Sequence, residues 1–234
     1  MYRCLIFMGL LFGLQPLKAQ YAAVKPQAIH EGTSATLPQV AAVAGGLTLA
    51  AFLVDEPLRD FMQRNQSGFG DGFSRITDVA GEKTVVVPAL LATYGTARWL
   101  VQDEELQGVA LQAMQAVVTT ALATEGLKHL AGRGRPFREE GAFVFAPFPG
   151  SDDSFKSLPS GHASLAFAVF TPFAEAYSRW LYVVPVAVAA GRVYDDKHWT
   201  SDVLLGGALG FVSAWVFVHQ PNVSIIPGGL RLYF

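Results

Sequence analysis

Residues 181–218 read LYVVPVAVAAGRVYDDKHWTSDVLLGGALGFVSAWVFV: two apolar runs, Leu181–Ala190 and Asp202–Val218, joined by a short polar knot. Neither run shows the strict alternation of a half-buried strand, so both read as helices. Gly206 and Gly210, four residues apart, suit close packing of one helix on another. The knot itself holds Arg192, then five residues, His198, then three residues, Asp202. A cation, an imidazole and a carboxylate between two apolar helices describe a helical bundle with its polar chemistry gathered at one end.

The same texture extends outward from this stretch. Leu37–Val54, Thr84–Val101, Leu106–Leu127 and His162–Tyr177 are also apolar and helical in pattern, the last with Pro172 inside it. The expected architecture is therefore all-α, a single six-helix bundle over residues 37–220 with its core motifs in 128–202. Two connections are long and polar. Asp55–Lys83 reads as a surface helix and loop, because Pro57 suits a helix first turn and Ser67–Gly72 is Gly-rich. Lys128–Ser160 is turn-rich from Pro147 to Ser154, and long loops on a helical scaffold are where function tends to sit. Residues 221–234 form a tail in which only Leu230–Phe234 alternates like a strand.

Residues 1–20 place Arg3 ahead of the apolar run Leu5–Leu14 and end in Leu17-Lys18-Ala19, the pattern of a secretory signal cleaved after residue 19. The run is too short for the ~20 residues of a bilayer span. Residues 20–36 then make a polar lead-in without periodicity. Cys4 is the single cysteine, so the cleaved chain would have neither disulfide nor thiol nucleophile.

Of 234 residues, 51% are hydrophobic and 15% charged, against roughly 25% charged in an ordinary soluble domain. Such a chain buries enough surface to offset its ordering entropy, which excludes disorder. Seventeen Lys and Arg against nineteen Asp and Glu leave a charge of −2, which excludes a nucleic-acid partner held by bulk electrostatics. A mean hydropathy of +0.32 fits a membrane protein or an unusually apolar soluble bundle.

Three segments hold most of the reactive residues, and an up-and-down order of helices brings them to the same end. They are Lys128-x6-Arg135-Pro136, Leu158-Pro159-Ser160-Gly161-His162, and Arg192-x5-His198-x3-Asp202. Lys128, Arg135 and Arg192 are three cations, two of them planar forks that match a phosphate. Ser160 and Gly161 open a helix, where free N–H groups favour an anion. His162 and His198 exchange protons near neutrality. Asp202, four residues after His198, is placed to face the imidazole, fix its tautomer and leave the other nitrogen free to attack phosphorus.

Each piece alone fits a plainer role: a dipole-compensating cation, a helix start, a structural His–Asp pair. Other polar residues have only plain readings. His129 points about 100° away from Lys128 on a helix and belongs to the rim. His30 and His219 lie outside the motifs. Asp195, Asp196 and Lys197 make the turn before His198, and Glu125, one turn before Lys128, is placed to pair with it. Trp99, Trp180, Trp199 and Trp215 fit an interfacial belt or an ordinary core. No His-rich or carboxylate-rich cluster has metal-ligand spacing, so neither metal nor cofactor is expected.

As a set, the three motifs resemble the type 2 phosphatidic acid phosphatase superfamily, which includes bacterial class A acid phosphatases and vanadium haloperoxidases. Its signature K-x6-R-P, P-S-G-H and S-R-x5-H-x3-D is matched over about residues 84–218, except that Gly191 stands where the family often has Ser. The resemblance implies that His198 attacks phosphorus to give a phosphohistidine, that Asp202 orients it, and that His162 protonates the leaving oxygen and then activates water. It implies that Lys128, Arg135, Ser160, Gly161 and Arg192 hold the phosphoryl oxygens, without a metal.

The reading so reached is a phosphatase of an envelope lipid of the lipid A, undecaprenyl pyrophosphate or phosphatidylglycerol phosphate type. The alternatives are a soluble periplasmic acid phosphatase of broad specificity and, third, a vanadate-dependent haloperoxidase. Eleven of the seventeen basic residues fall on the catalytic side (Arg59, Arg64, Arg75, Lys83, Lys128, Arg133, Arg135, Arg138, Lys156, Arg192, Lys197). Taken as a topology signal this favours a cytoplasmic face. Several of them are there to bind phosphate, however, and a membrane-associated protein with a periplasmic catalytic face is the expectation adopted.

Overall fold

The computed structural model describes residues 36–220, 223–226 and 229–232; the signal-like segment, most of the lead-in and His30 lie outside them. All six apolar stretches are helical. They form α1 (Leu37–Ala51), α4 (Lys83–Gly95), α5 (Glu104–Ala131), α6 (Gly161–Ala176), α7 (Val183–Tyr194) and α8 (Thr200–His219). The connection expected as a surface helix and loop is instead two helices, α2 (Asp55–Arg64) and α3 (Gly68–Gly81).

The Gly-rich stretch is helical for tertiary reasons. Ser67 caps α3 by accepting from the Gly70 N–H at 3.1 Å. A side chain at Gly70 would overlap the Tyr194 ring, so the glycine that reads as loop in the sequence is the contact that lets α3 lie against α7. In the tail, β1 (Val223–Ile226) and β2 (Gly229–Leu232) pair antiparallel, so the strand expected over 230–234 has a partner.

α6 sits at the centre, packed against α5, α7 and α8, while α1 lies on α8, α3 on α7 and α4 on α5. Small residues make this possible. Ala110, Ala113, Ala116, Ala163, Ala166, Ala168 and Ala214 are fully buried and let backbones approach, with Val169, Leu90 and Phe217 filling between them. The closest approach is α6 on α8: a Cβ at Gly206 would stand 2.5 Å from the Ser160 carbonyl, and one at Gly210 would overlap the Ser164 carbonyl. The glycine pair is thus what seats the start of α6 against the start of α8.

Lys83–Val101, Glu104–Ala131 and Thr200–His219 are long and apolar enough to cross a membrane, and α1 with α2, bent by 63°, forms a further broken candidate. The span through α4 is covered least by the rest of the protein, and Leu91, Trp99 and Leu100 are exposed along it. Trp180 is exposed as well, whereas Trp199 is buried and donates Nε1–H to the Gly134 carbonyl at 2.9 Å, so the tryptophans divide between surface and core.

Candidate active site

The loop from α5 to α6 is tied down at its first residue. Gly132 closes α5 with φ +57°, its N–H bonding the Lys128 carbonyl, and a Cβ there would overlap the Ala146 carbonyl. From this turn Ala146 N–H donates to Gly132 O and Gly134 N–H to Val144 O, a short antiparallel pairing that carries both arginines into the site, Arg133 to Asp55 and Asp202 and Arg135 to Asp153 and His198. Lys128, in the last turn of α5, is buried with its Nζ 3.6 Å from where a Cβ on Gly161 would be. The ammonium thus lies in contact range of the start of α6.

His198 is 2% exposed. Its Nδ1 lies 2.8 Å from the Ser157 carbonyl, and its Nε2 lies 3.4 Å from Arg135 Nη1. A carbonyl only accepts and a guanidinium only donates, so the proton belongs on Nδ1 and the lone pair on Nε2. Nε2 is thus the ring nitrogen with a free lone pair. Burial, with the Arg135 and Lys128 cations, overrides the Asp202 carboxylate and brings the imidazole pKa down to about 3, so the ring is neutral over the working pH range.

The expected direct contact of Asp202 with His198 takes another form. Asp202 Oδ2 stands 3.7 Å from Nδ1, beyond hydrogen-bond reach. The carboxylate instead accepts from Ser157 Oγ, from the Trp199 N–H at 2.8 Å and from Arg133 Nη1 at 2.7 Å. It thereby fixes Ser157, whose carbonyl fixes His198. Arg133 was not among the expected site residues, yet it is fully buried and carries this whole corner. It donates to the Ala142 carbonyl, Ser201 Oγ, Asp202 and Asp55 Oδ2 (2.8 Å), and it lies 4.5 Å from the Phe52 ring centroid. Asp55, the first residue of α2, accepts in turn from Ser201 N–H and Oγ.

Ser160 caps α6, and its own N–H donates to the Asp202 carbonyl at 3.0 Å, locking the two helix starts together. Behind it, Thr124 Oγ1 meets Ser164 Oγ at 3.1 Å, and Ser164 donates to the Ser160 carbonyl. Arg135 is held by Asp153, through the carbonyl at 2.9 Å and the carboxylate at 2.8 Å.

The second histidine has different surroundings. His162 Nε2 is buried and makes no hydrogen bond, with Asp78 Oδ1 at 3.2 Å and Glu82 Oε2 at 3.6 Å. Burial and the Arg192 cation hold its pKa below the ordinary 6.5, while Asp78 and Glu82 work the other way. Arg192 pairs with Asp78 through Nη1 and leaves Nε unbonded. Arg59, over the loop before His198, binds Asp196 at 2.6 and 2.8 Å, so that loop does more than turn: it is clamped to α2.

All eight expected residues are thus brought to one end of the bundle. Lys128 and Arg192 act on His162, and Lys128 and Arg135 act on His198, so the three cations bracket both imidazoles. His129 is half-buried beside them, and Glu125 is exposed with no ion pair to Lys128 among the described residues. Gly191 has its own explanation. A Cβ there would overlap Thr77 Oγ1, so the space a serine hydroxyl would take is filled by a threonine from α3.

Residues 109–226 match the PAP2 superfamily. The chain belongs to that family. Over 125 residues it is 36% identical to the lipid A 1-phosphatase of Rhizobium johnstonii, covering 51% of this chain and 50% of that one. It thus spans about half the length of that relative and of its Rhizobium etli counterpart. The fold is shared with the crystal structure of Aquifex aeolicus LpxE, at TM-score 0.55 and 16% identity over 71% of this chain and 96% of that one. It is shared also with the transmembrane PAP2-type phosphatidylglycerolphosphate phosphatase of Bacillus subtilis, at 0.56 and 20% over 75% and 92%.

Proposed function

We propose that this PAP2 protein is a metal-independent phosphatase of an envelope lipid, hydrolysing a phosphomonoester or pyrophosphate through a phosphohistidine at His198. The observation that carries the reading is the neutral, single-tautomer His198, its Nε2 lone pair facing Arg135 within a set of three cations. In this reading Nε2 attacks phosphorus in line with the leaving oxygen. Lys128, Arg135, Arg192 and the N–H groups at the start of α6 meet the equatorial oxygens as charge develops on them. His162 gives a proton to the leaving oxygen. It then takes one from the water that splits the phosphohistidine.

A lipid substrate is supported by the long apolar helices around the site and by the lipid phosphatases among the relatives. The class spans lipid A, undecaprenyl pyrophosphate and phosphatidylglycerol phosphate. A periplasmic catalytic end requires that α1, entering from an N-terminus left outside by cleavage after residue 19, does not cross the membrane; its 63° bend into α2 supports that course.

The test is purified protein offered a panel of these lipid phosphates beside a soluble monoester, comparing kcat/KM. Preference for a lipid, survival of activity in EDTA and inhibition by vanadate are expected; preference for the soluble monoester makes it a general acid phosphatase. Labelling of a cysteine placed at Glu139 by an impermeant maleimide in whole cells checks the orientation.

A further inference from the structure

We propose that Asp78 and Glu82 are positioning residues, the paired counter-ions of protonated His162, which assign the proton exchange of the reaction to the Nδ1 nitrogen of that ring. The inference rests on the phosphohistidine reading above.

Asp78 lies in the last turn of α3 and Glu82 caps α4, one helical turn further on. Both carboxylates approach the same atom, Nε2 of His162, at 3.2 and 3.6 Å, and that buried nitrogen makes no hydrogen bond among the described residues. Gly81 lies between them. A Cβ there would be 2.9 Å from His162 Cδ2 and 2.7 Å from Val188 Cγ1, so the missing side chain is what lets the imidazole lie against the α3–α4 corner. Glu82 is itself oriented, since its Oε1 accepts from the Thr84 N–H at 3.3 Å and leaves Oε2 for the ring.

The charged groups that act on His162 fall into two pairs: the cations Arg192 on α7 and Lys128 on α5, and the carboxylates Asp78 on α3 and Glu82 at the α3–α4 corner. The cations are needed for phosphate, but they oppose an imidazolium. The carboxylates offset them, Asp78 by meeting both Arg192 Nη1 and His162 Nε2 through Oδ1, Glu82 by meeting Nε2 alone of those two atoms. Once Nε2–H belongs to the carboxylates, Nδ1 is the nitrogen left to react. Its proton passes to the leaving oxygen as the P–O bond breaks and the His198 Nε2–P bond forms. In the second half, water gives a proton to Nδ1 as its oxygen bonds phosphorus and the N–P bond breaks. The Nε2 proton stays in place throughout.

The experiment compares the full-length protein with Asp78→Asn, Glu82→Gln and the double variant. The alkaline limb of kcat/KM should move to lower pH in each, by about one unit in the double variant. Turnover of an alkyl phosphate should fall roughly 10–100-fold, and that of p-nitrophenyl phosphate, whose leaving group needs little protonation, far less. Equal losses on both substrates with an unmoved limb would overturn the proposal, because a merely structural role produces that pattern. Nitrogen NMR of the resting protein gives a second reading: the His162 titration should fall in the double variant, and an unchanged titration overturns the linkage. Absence of phosphate release from the wild type would instead sink the phosphatase reading, and the NMR titration would still decide the carboxylate linkage.

Discussion

The two histidines lie in opposite kinds of surroundings. Around His198 everything is sealed and paired: Asp202, Arg133 and Asp55 have fully buried side chains, and their polar atoms meet within a single network. Around His162 the partners Asp78 and Glu82 are 47% and 36% exposed, and two buried nitrogens, His162 Nε2 and Arg192 Nε, have no hydrogen bond. The difference suits the proposed chemistry. A nucleophile must hold one tautomer before substrate arrives, which calls for rigid acceptors and donors. A proton carrier must trade with water in every turnover, which calls for an open flank.

The comparison can be broken first at the nucleophile. His198→Ala should lower phosphate release by about a thousand-fold or more with helix content by circular dichroism unchanged; substantial residual activity would remove the phosphohistidine. Next comes the sealed network. Asp55→Ala takes one of its two carboxylates from Arg133 and leaves the buried Ser201 N–H and Oγ without their acceptor, which should cost about 2–5 kcal/mol in detergent unfolding, whereas Glu82→Gln on the open side should change stability by only about 0.5 kcal/mol. Equal losses would erase the distinction between the two sides.

Gly191→Ser should cost about 1–3 kcal/mol through overlap with Thr77, and Thr77→Ala should recover most of it. The pH profile separates the sides more gently. His198 must be deprotonated, and it is so above about pH 3. His162 must be protonated, and its pKa lies below 6.5 in the free protein, so the active form declines as pH rises through that lowered value. The kcat/KM optimum therefore falls on the acid side of neutrality, and an alkaline optimum would contradict it. The smallest effect expected is from Glu125→Gln, with activity and melting within error, since Glu125 is exposed and pairs with nothing among the described residues.

The helices were legible because lipid-like apolar runs and their polar interruptions are local signals, and the residues proposed to hold phosphate could be named because their spacing is fixed by short turns and helix starts. Arg133, Asp55, Ser157, Asp78 and Glu82 were not. Asp55 meets Ser201 across 146 positions and Arg133 across 78, so their roles exist only once α2 folds back onto the start of α8. Arg133 sits in the very Arg133-Gly134-Arg135-Pro136 run that announced the site, but no periodicity distinguishes the arginine beside His198 from the one buried against Asp55 and Asp202. The signal for Asp55 was available: an acidic residue just before Glu56-Pro57 at a helix start. Polarity and glycine made the whole segment read as surface, when it is the flank that closes the site.

The length of α5 has a consequence for how a lipid reaches this centre. Lys128 lies near the end of that 28-residue helix, about 36 Å from its first residue at ~1.5 Å per residue, whereas a bilayer's hydrocarbon layer is about 30 Å deep. With α5 crossing the membrane, the helix works as a depth gauge that raises the ammonium to the level of the headgroups. On the proposed function, a lipid phosphate then arrives by sliding sideways within its own leaflet, its acyl chains never leaving the oil.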